Sequence, residues 1–110
     1  MTGEPIKDWA FLADGSSGDK SLECEWLKVA QQIFELWQQR QKKYGPANIA
    51  AFGEKGCLVR AFDKTARLRQ ALFNGQGAEM PDGTIEDSWA DLVNYALMGI
   101  LCRRKLWPNG

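Results

Sequence analysis

Apolar residues in this chain recur at three- and four-residue intervals and nowhere alternate with period two for long. That pattern predicts helices and no sheet. Over residues 21–44, Leu22, Trp26, Val29, Ile33, Leu36 and Trp37 keep helical spacing, with Ser21 as the expected N-cap. Gln31, Gln32, Gln38, Gln39, Arg40 and Lys42 read as its solvated surface. Gly45-Pro46 ends this helix, because proline's ring excludes the preceding residue from helical geometry. Residues 47–53 read as a short connection with room for one helical turn. A second helix is expected over residues 54–73, its apolar side defined by Leu58, Phe62, Thr65, Leu72 and Phe73, and stopped by Asn74-Gly75. Arg69 falls inside that apolar stripe without a reason in the sequence. After a glycine-rich turn, Thr84 with Asp87 three residues on forms a capping-box pattern that opens a third helix, running to about Lys105. Arg103, Arg104 and Lys105 suit its last turn.

In the third helix, Trp89, Ala90, Leu92, Val93, Tyr95, Ala96, Leu97, Met98, Ile100 and Leu101 point in nearly every direction. A helix apolar all round is covered by both its own fold and a partner. The expected architecture is therefore an all-α bundle of three main helices over residues 21–107, completed by homo-oligomerisation. Residues 1–20, with Gly3, Pro5 and the run Asp14-Gly-Ser-Ser-Gly-Asp19, read as a loosely ordered arm. Its Trp9, Phe11 and Leu12 could dock on the body or on a second subunit.

Composition narrows the function. The 110 residues are enough for one domain. Fourteen basic residues balance fourteen acidic ones, so no general nucleic-acid binding is expected, since that needs excess Lys and Arg. There is no histidine and no CxxC pair; Cys24, Cys57 and Cys102 are widely spaced. A zinc site and a histidine base are both excluded as readings, and three buried free thiols in a reducing compartment are expected. No stretch approaches the ~20 apolar residues of a membrane span, and residues 1–20 hold no signal-peptide core. A cytoplasmic protein follows. Five Trp predict an aromatic core or subunit interface.

Two polar stripes carry the candidate chemistry. Asp87, Asp91 and Asn94 interrupt the apolar third helix and, at ~100° per residue, lie within about 60° of one another. Two carboxylates one turn apart need a cation or basic partners. Mg²⁺ is one candidate, since it takes one or two carboxylates and completes its shell with water and phosphate oxygens. The other reading is structural: Asp87 closes the capping box, and Asp91 pairs with Arg60, Lys64 or Arg67 of the second helix. Those three share a face at i, i+4 and i+7, with Asp63 beside them. They read as a solvated surface or as a phosphate clamp. Tyr44 could stack on a base and Asn48 read its edge; equally, the two are a helix stop and an N-cap.

The ordered runs Lys43-Tyr-Gly-Pro-Ala-Asn-Ile49, Phe52-Gly-Glu-Lys-Gly56, Arg60-Ala-Phe-Asp-Lys64, Arg67-Leu68 and Glu86-Asp-Ser-Trp-Ala-Asp-Leu-Val-Asn-Tyr95 resemble a small bacteriophage family, the nucleotide modification associated domain 1 proteins. The resemblance covers roughly residues 40–98. It implies Arg60, Asp63, Lys64, Arg67, Asp87, Asp91 and Asn94 as functional positions. The layout is also similar to the all-α nucleoside triphosphate pyrophosphohydrolases of the MazG and dUTPase type, which bind Mg²⁺ through ExxE and ExxD pairs. Here Ser88 stands where ExxD would want Glu, and the first helix has no ExxE.

Three functions follow as expectations. The first is Mg²⁺-dependent hydrolysis of a (deoxy)nucleoside triphosphate or related nucleotide phosphate. Asp87 and Asp91 would hold the metal, Arg60, Lys64 and Arg67 the phosphates, and Asp63 or a carboxylate of the first helix would orient the water. The second is binding of a nucleotide or nucleotide-like signal without turnover. The third is interaction with a host factor through the Trp-rich surface.

Overall fold

The computed structural model describes residues 20–75 and 82–108. They form three helices, α1 (Lys20–Tyr44), α2 (Ala47–Phe73) and α3 (Asp82–Arg103), with no strand among the described residues. The all-α expectation holds, and the arm falls outside the described residues.

α2 and α3 are the main pair, and α1 lies more lightly across α3. α2 and α3 run antiparallel: Glu54 meets Arg103 near one end, and Lys64 meets Asp91 further along. Their seam is built from small and medium side chains. On α2, Cys57, Leu68 and Ala71 are buried, at the four- and three-residue spacing of one helical stripe. On α3 the buried positions are Ser88, Ala90, Asp91, Asn94 and Met98. The absence of a side chain at Gly99 lets the helices approach: a Cβ there would lie 3.7 Å from that of Cys57.

Gly45 takes φ +72 and turns the chain between α1 and α2. That turn is tied to the C-terminus, where the Trp107 indole N–H donates to the Pro46 carbonyl at 3.0 Å. Trp107 also meets Trp37 edge-on at 6.3 Å, and Phe34 stacks on Trp37 at 6.2 Å. These contacts join α1 to the C-terminal segment.

Several local expectations are corrected. Residues 47–52 are helical and belong to α2, which breaks at Gly53 (φ 62, ψ −147) and resumes at once. Only glycine takes that backbone conformation comfortably. α3 starts at Asp82, so Thr84 is inside the helix and not its cap; its carbonyl accepts from the Ser88 hydroxyl at 3.0 Å. Cys24 is exposed and Cys102 half-buried, leaving Cys57 as the one buried thiol among the described residues. The largest change concerns α2. Its expected apolar side, Leu58, Phe62, Leu72 and Phe73, is exposed, with Leu58 at the rim of a groove along α3. The helix packs instead through the stripe at positions 57, 61, 64, 68 and 71.

Candidate functional site

Asp91 is the centre of the polar cluster. It sits on the seam side of α3 and is buried. One carboxylate oxygen accepts a short hydrogen bond from the Arg40 guanidinium of α1, and the other lies 3.0 Å from the Lys64 ammonium of α2. One carboxylate thus ties all three helices together. Pairing is what permits it to be buried as an ion. The Lys64 side chain is itself well covered, whereas Arg40 reaches solvent.

Asn94 lies one turn along from Asp91 and is buried, yet its amide nitrogen finds no acceptor. An unmet buried donor costs roughly 1–3 kcal/mol. This donor lies one helical turn from the carboxylate that Arg40 and Lys64 hold.

Arg60 and Arg67 flank Lys64 at i−4 and i+3, so all three share one side of α2. Arg60 and Arg67 are exposed, as is Asp63. Arg60 also lines a small cavity of about 40 Å³ with Asn48, Ile49, Phe52, Gly53, Gly56, Cys57 and Tyr95. Gly53, where α2 breaks, is among the residues that line it. Gly56 is needed there, since a Cβ on it would fall 2.5 Å from the Cβ of Phe52. The space suits one or two waters or a single ligand oxygen, well below the ~300 Å³ of a pocket that encloses a small molecule.

The other expected site residues divide plainly. Asn48 is brought to the cavity beside Arg60; it lies in the first turn of α2, whose N-cap position is Pro46 with no side-chain cap. Tyr44 is exposed at the end of α1, with the Lys43 ammonium 5.3 Å from its ring centre, and is not part of the cavity. Asp87 is exposed one turn before Asp91. Arg40, which the sequence reading left on a solvated surface, is the residue it missed. Its spacing from Ile33 and Trp37, seven and three residues, was the available signal.

The fit to Mg²⁺ can be tested on these residues. Both oxygens of Asp91 are engaged by cations, and Asp87 stands apart in solvent. No group of three or more Cys, Asp or Glu converges among the described residues. The carboxylates do not form a ready cation cradle. Asp91 instead holds two cations, the Arg40 guanidinium and the Lys64 ammonium.

One further group has a displaced proton affinity. Burial, with the Cys102 thiol and Glu54 alongside, pushes the Cys57 thiol up to about 11. A thiol so placed stays protonated and unreactive. It contributes packing and no nucleophile.

Comparison with protein-family models, with curated proteins and with solved structures returned no match, and no family is identified. No described helix is long and apolar enough to cross a membrane.

Proposed function

We propose that the chain binds a nucleotide through its phosphates on the side of α2 that carries Arg60, Lys64 and Arg67, without turning it over. The observation that carries this reading is the convergence of Arg40 and Lys64 on buried Asp91, with the unmet donor of Asn94 one turn away. Guanidinium forks bind phosphate oxygens in pairs, and a fixed ammonium adds a point charge. Arg60 and Arg67 are free to reach a ligand, while Arg40 and Lys64 are held in position by Asp91. The small cavity beside Arg60 would take one phosphate oxygen and leaves the base outside, within reach of the exposed Tyr44 ring. A homo-oligomer belongs to the same reading, because α3 keeps exposed apolar residues opposite its seam.

Hydrolysis with Mg²⁺ is the second reading, favoured by the two exposed carboxylates Asp63 and Asp87 flanking the cluster. A nucleotide that arrives with its own Mg²⁺ could present it to Asp87. One experiment separates the two. Calorimetry against each NTP and dNTP, with and without Mg²⁺, is followed by chromatography of the recovered ligand. Binding with intact ligand, weakened about tenfold in Arg67→Ala (the loss of one charge-assisted contact), supports the proposal. Mg²⁺-dependent conversion to monophosphate would establish the hydrolase instead. No binding to any nucleotide would overturn both and leave an interaction protein.

A further inference from the structure

Leu58, Ala96, Gly99 and Ile100, with the Glu54–Arg103 ion pair beside them, line a groove of about 260 Å³ along the α2–α3 pair, and helical spacing sets Ile100 about 180° round α3 from Asp91. Helical spacing continues this face through Phe62, Thr65, Arg69 and Leu72 on α2 and back through Trp89 on α3. Its large apolar members are far from covered: Leu58 is 70 % exposed, Phe62 73 %, Leu72 56 %, Trp89 50 % and Ile100 37 %. With 150–250 Å² for a fully buried aromatic and somewhat less for an aliphatic chain, these five leave on the order of 500 Å² of apolar surface uncovered. A standard interface takes about 800 Å² from each partner, roughly 56–65 % of it apolar, or about 450–520 Å². The face has the area and composition of half a stable dimer interface, and is at the upper limit of what a monomer tolerates.

We infer that a second copy of this chain covers this face, with a two-fold axis passing beside Thr65, so that the α2–α3 pairs of two copies form a four-helix bundle. The pattern along α2 points to a second copy as the occupant. The positions 58, 62, 65, 69 and 72 are close to symmetric about 65. Antiparallel packing of α2 on its own copy therefore sets Leu58 against the second copy's Leu72, and Phe62 against the second copy's Arg69. A two-fold axis repeats each contact, as an isologous interface requires. Thr65 stands at the crossing, where a small residue is needed. Its hydroxyl already donates to the Ala61 carbonyl at 3.0 Å, which leaves its methyl for the partner. Arg69 then has a reason to lie in an apolar stripe, since a guanidinium over a phenylalanine face is a favourable desolvated pair. The second copy's Leu72, beside Leu58, closes the groove that Gly99 and Ala96 leave open. The Asp91 cluster stays on the outer side, so the inference does not depend on nucleotide binding.

The test uses the full-length chain with Cys24→Ser to remove the exposed thiol. Light scattering at 50 µM, about the range where a modest dimer is formed, is expected to give twice the chain mass. In that background Thr65→Cys, treated with a short bismaleimide, is expected to give a covalent dimer in high yield. Gln70→Cys, on the opposite side of α2, is expected to give almost none. Phe62→Glu is expected to yield a folded monomer, with helical circular dichroism retained. A monomeric parent would overturn the inference together with the homo-oligomer reading. A dimeric parent in which Thr65→Cys crosslinks no better than Gln70→Cys, or which survives Phe62→Glu, would overturn this interface alone. Nucleotide binding measured on the same variants reads the phosphate proposal separately.

Discussion

Replacing Asp91 with alanine removes the one carboxylate that holds Arg40 and Lys64, and the two halves of that contact differ in weight. The Asp91 side chain is 12 % exposed and that of Lys64 18 %, whereas that of Arg40 is 39 % exposed. Arg40 can turn to water when its partner is gone, and its share is screened accordingly. Lys64 cannot do so without leaving the seam between Cys57 and Leu68. Its ammonium would stay largely desolvated and unpaired, the situation in which losing one partner of a buried pair costs roughly 3–5 kcal/mol. Partial access to solvent reduces this, and about 2–4 kcal/mol is expected for Asp91→Ala. Removing the stranded charge should return much of it. The double variant Asp91→Ala/Lys64→Met is therefore expected to be more stable than Asp91→Ala alone, by about 1–2 kcal/mol. Urea unfolding at fixed protein concentration measures both, with the m-value showing whether the transition is unchanged. If Asp91→Ala loses less than about 0.5 kcal/mol, or Lys64→Met adds a further loss on top of it, Asp91 does not hold a desolvated cation. The description of the cluster as a buried carboxylate with two captive cations would then fail.

Three other outcomes follow from the same geometry. Gly53→Ala forces a side chain into a positive-φ conformation, and Gly56→Ala drives a Cβ to 2.5 Å from Phe52's backbone-proximal carbon. Each should cost about 1–3 kcal/mol in thermal melts, and a neutral result would remove the helix break as a constraint. Trp107→Ala loses the hydrogen bond to Pro46 and the edge contact with Trp37. A drop of about 2 kcal/mol is expected, since the ring is only half-buried, and tryptophan fluorescence should shift to the red as α1 loosens. For Cys57 the sign runs one way. Its folded thiol titrates near 11 against 9.0 unperturbed, so below pH 9 both states are protonated and its contribution is intact. As pH rises from 9 towards 11, the unfolded chain loses its proton first and stability falls, by at most about 1.4 kcal/mol per pH unit. Cys57→Ala should flatten that alkaline slope; an identical slope in the variant would mean that other groups cause it.

The fold was legible because backbone punctuation is local. Gly45-Pro46 and Asn74-Gly75 fix where α1 and α2 end, whatever they pack against. The helix around residues 47–52 was harder to read, because the glycine that breaks it also lets it resume immediately. The packed side of α2 is not the side that its larger apolar residues mark. Leu58, Phe62 and Leu72 are the larger apolar residues, and size normally marks the core. The stripe that packs holds Cys57, Ala61, Leu68 and Ala71, with a lysine in the middle, and sequence weighs that stripe as the poorer one. Small residues win the seam because they let α2 approach Gly99, and the lysine is tolerated because Asp91 meets it.

The same displacement explains what became of the two polar stripes. Asp91 faces the basic side of α2, as its spacing suggested, and pairs directly with Lys64, while the Asn94 amide one turn on stays unmet. A carboxylate saturated by Arg40 and Lys64 fixes the positions of those cations and lowers the local excess of positive charge. Without it, four cations within a few helical turns would repel one another. With it, Arg40 and Lys64 share one buried counter-charge, and the Asn94 donor one turn on stays unmet. On the proposed phosphate-binding reading, an incoming phosphate competes with Asp91 for Arg40, the more exposed of its two partners. Binding should therefore weaken with salt and strengthen in Asp91→Asn, if that variant folds. The stronger binding is what a preformed Mg²⁺ site could not give, since losing a metal ligand would lower affinity.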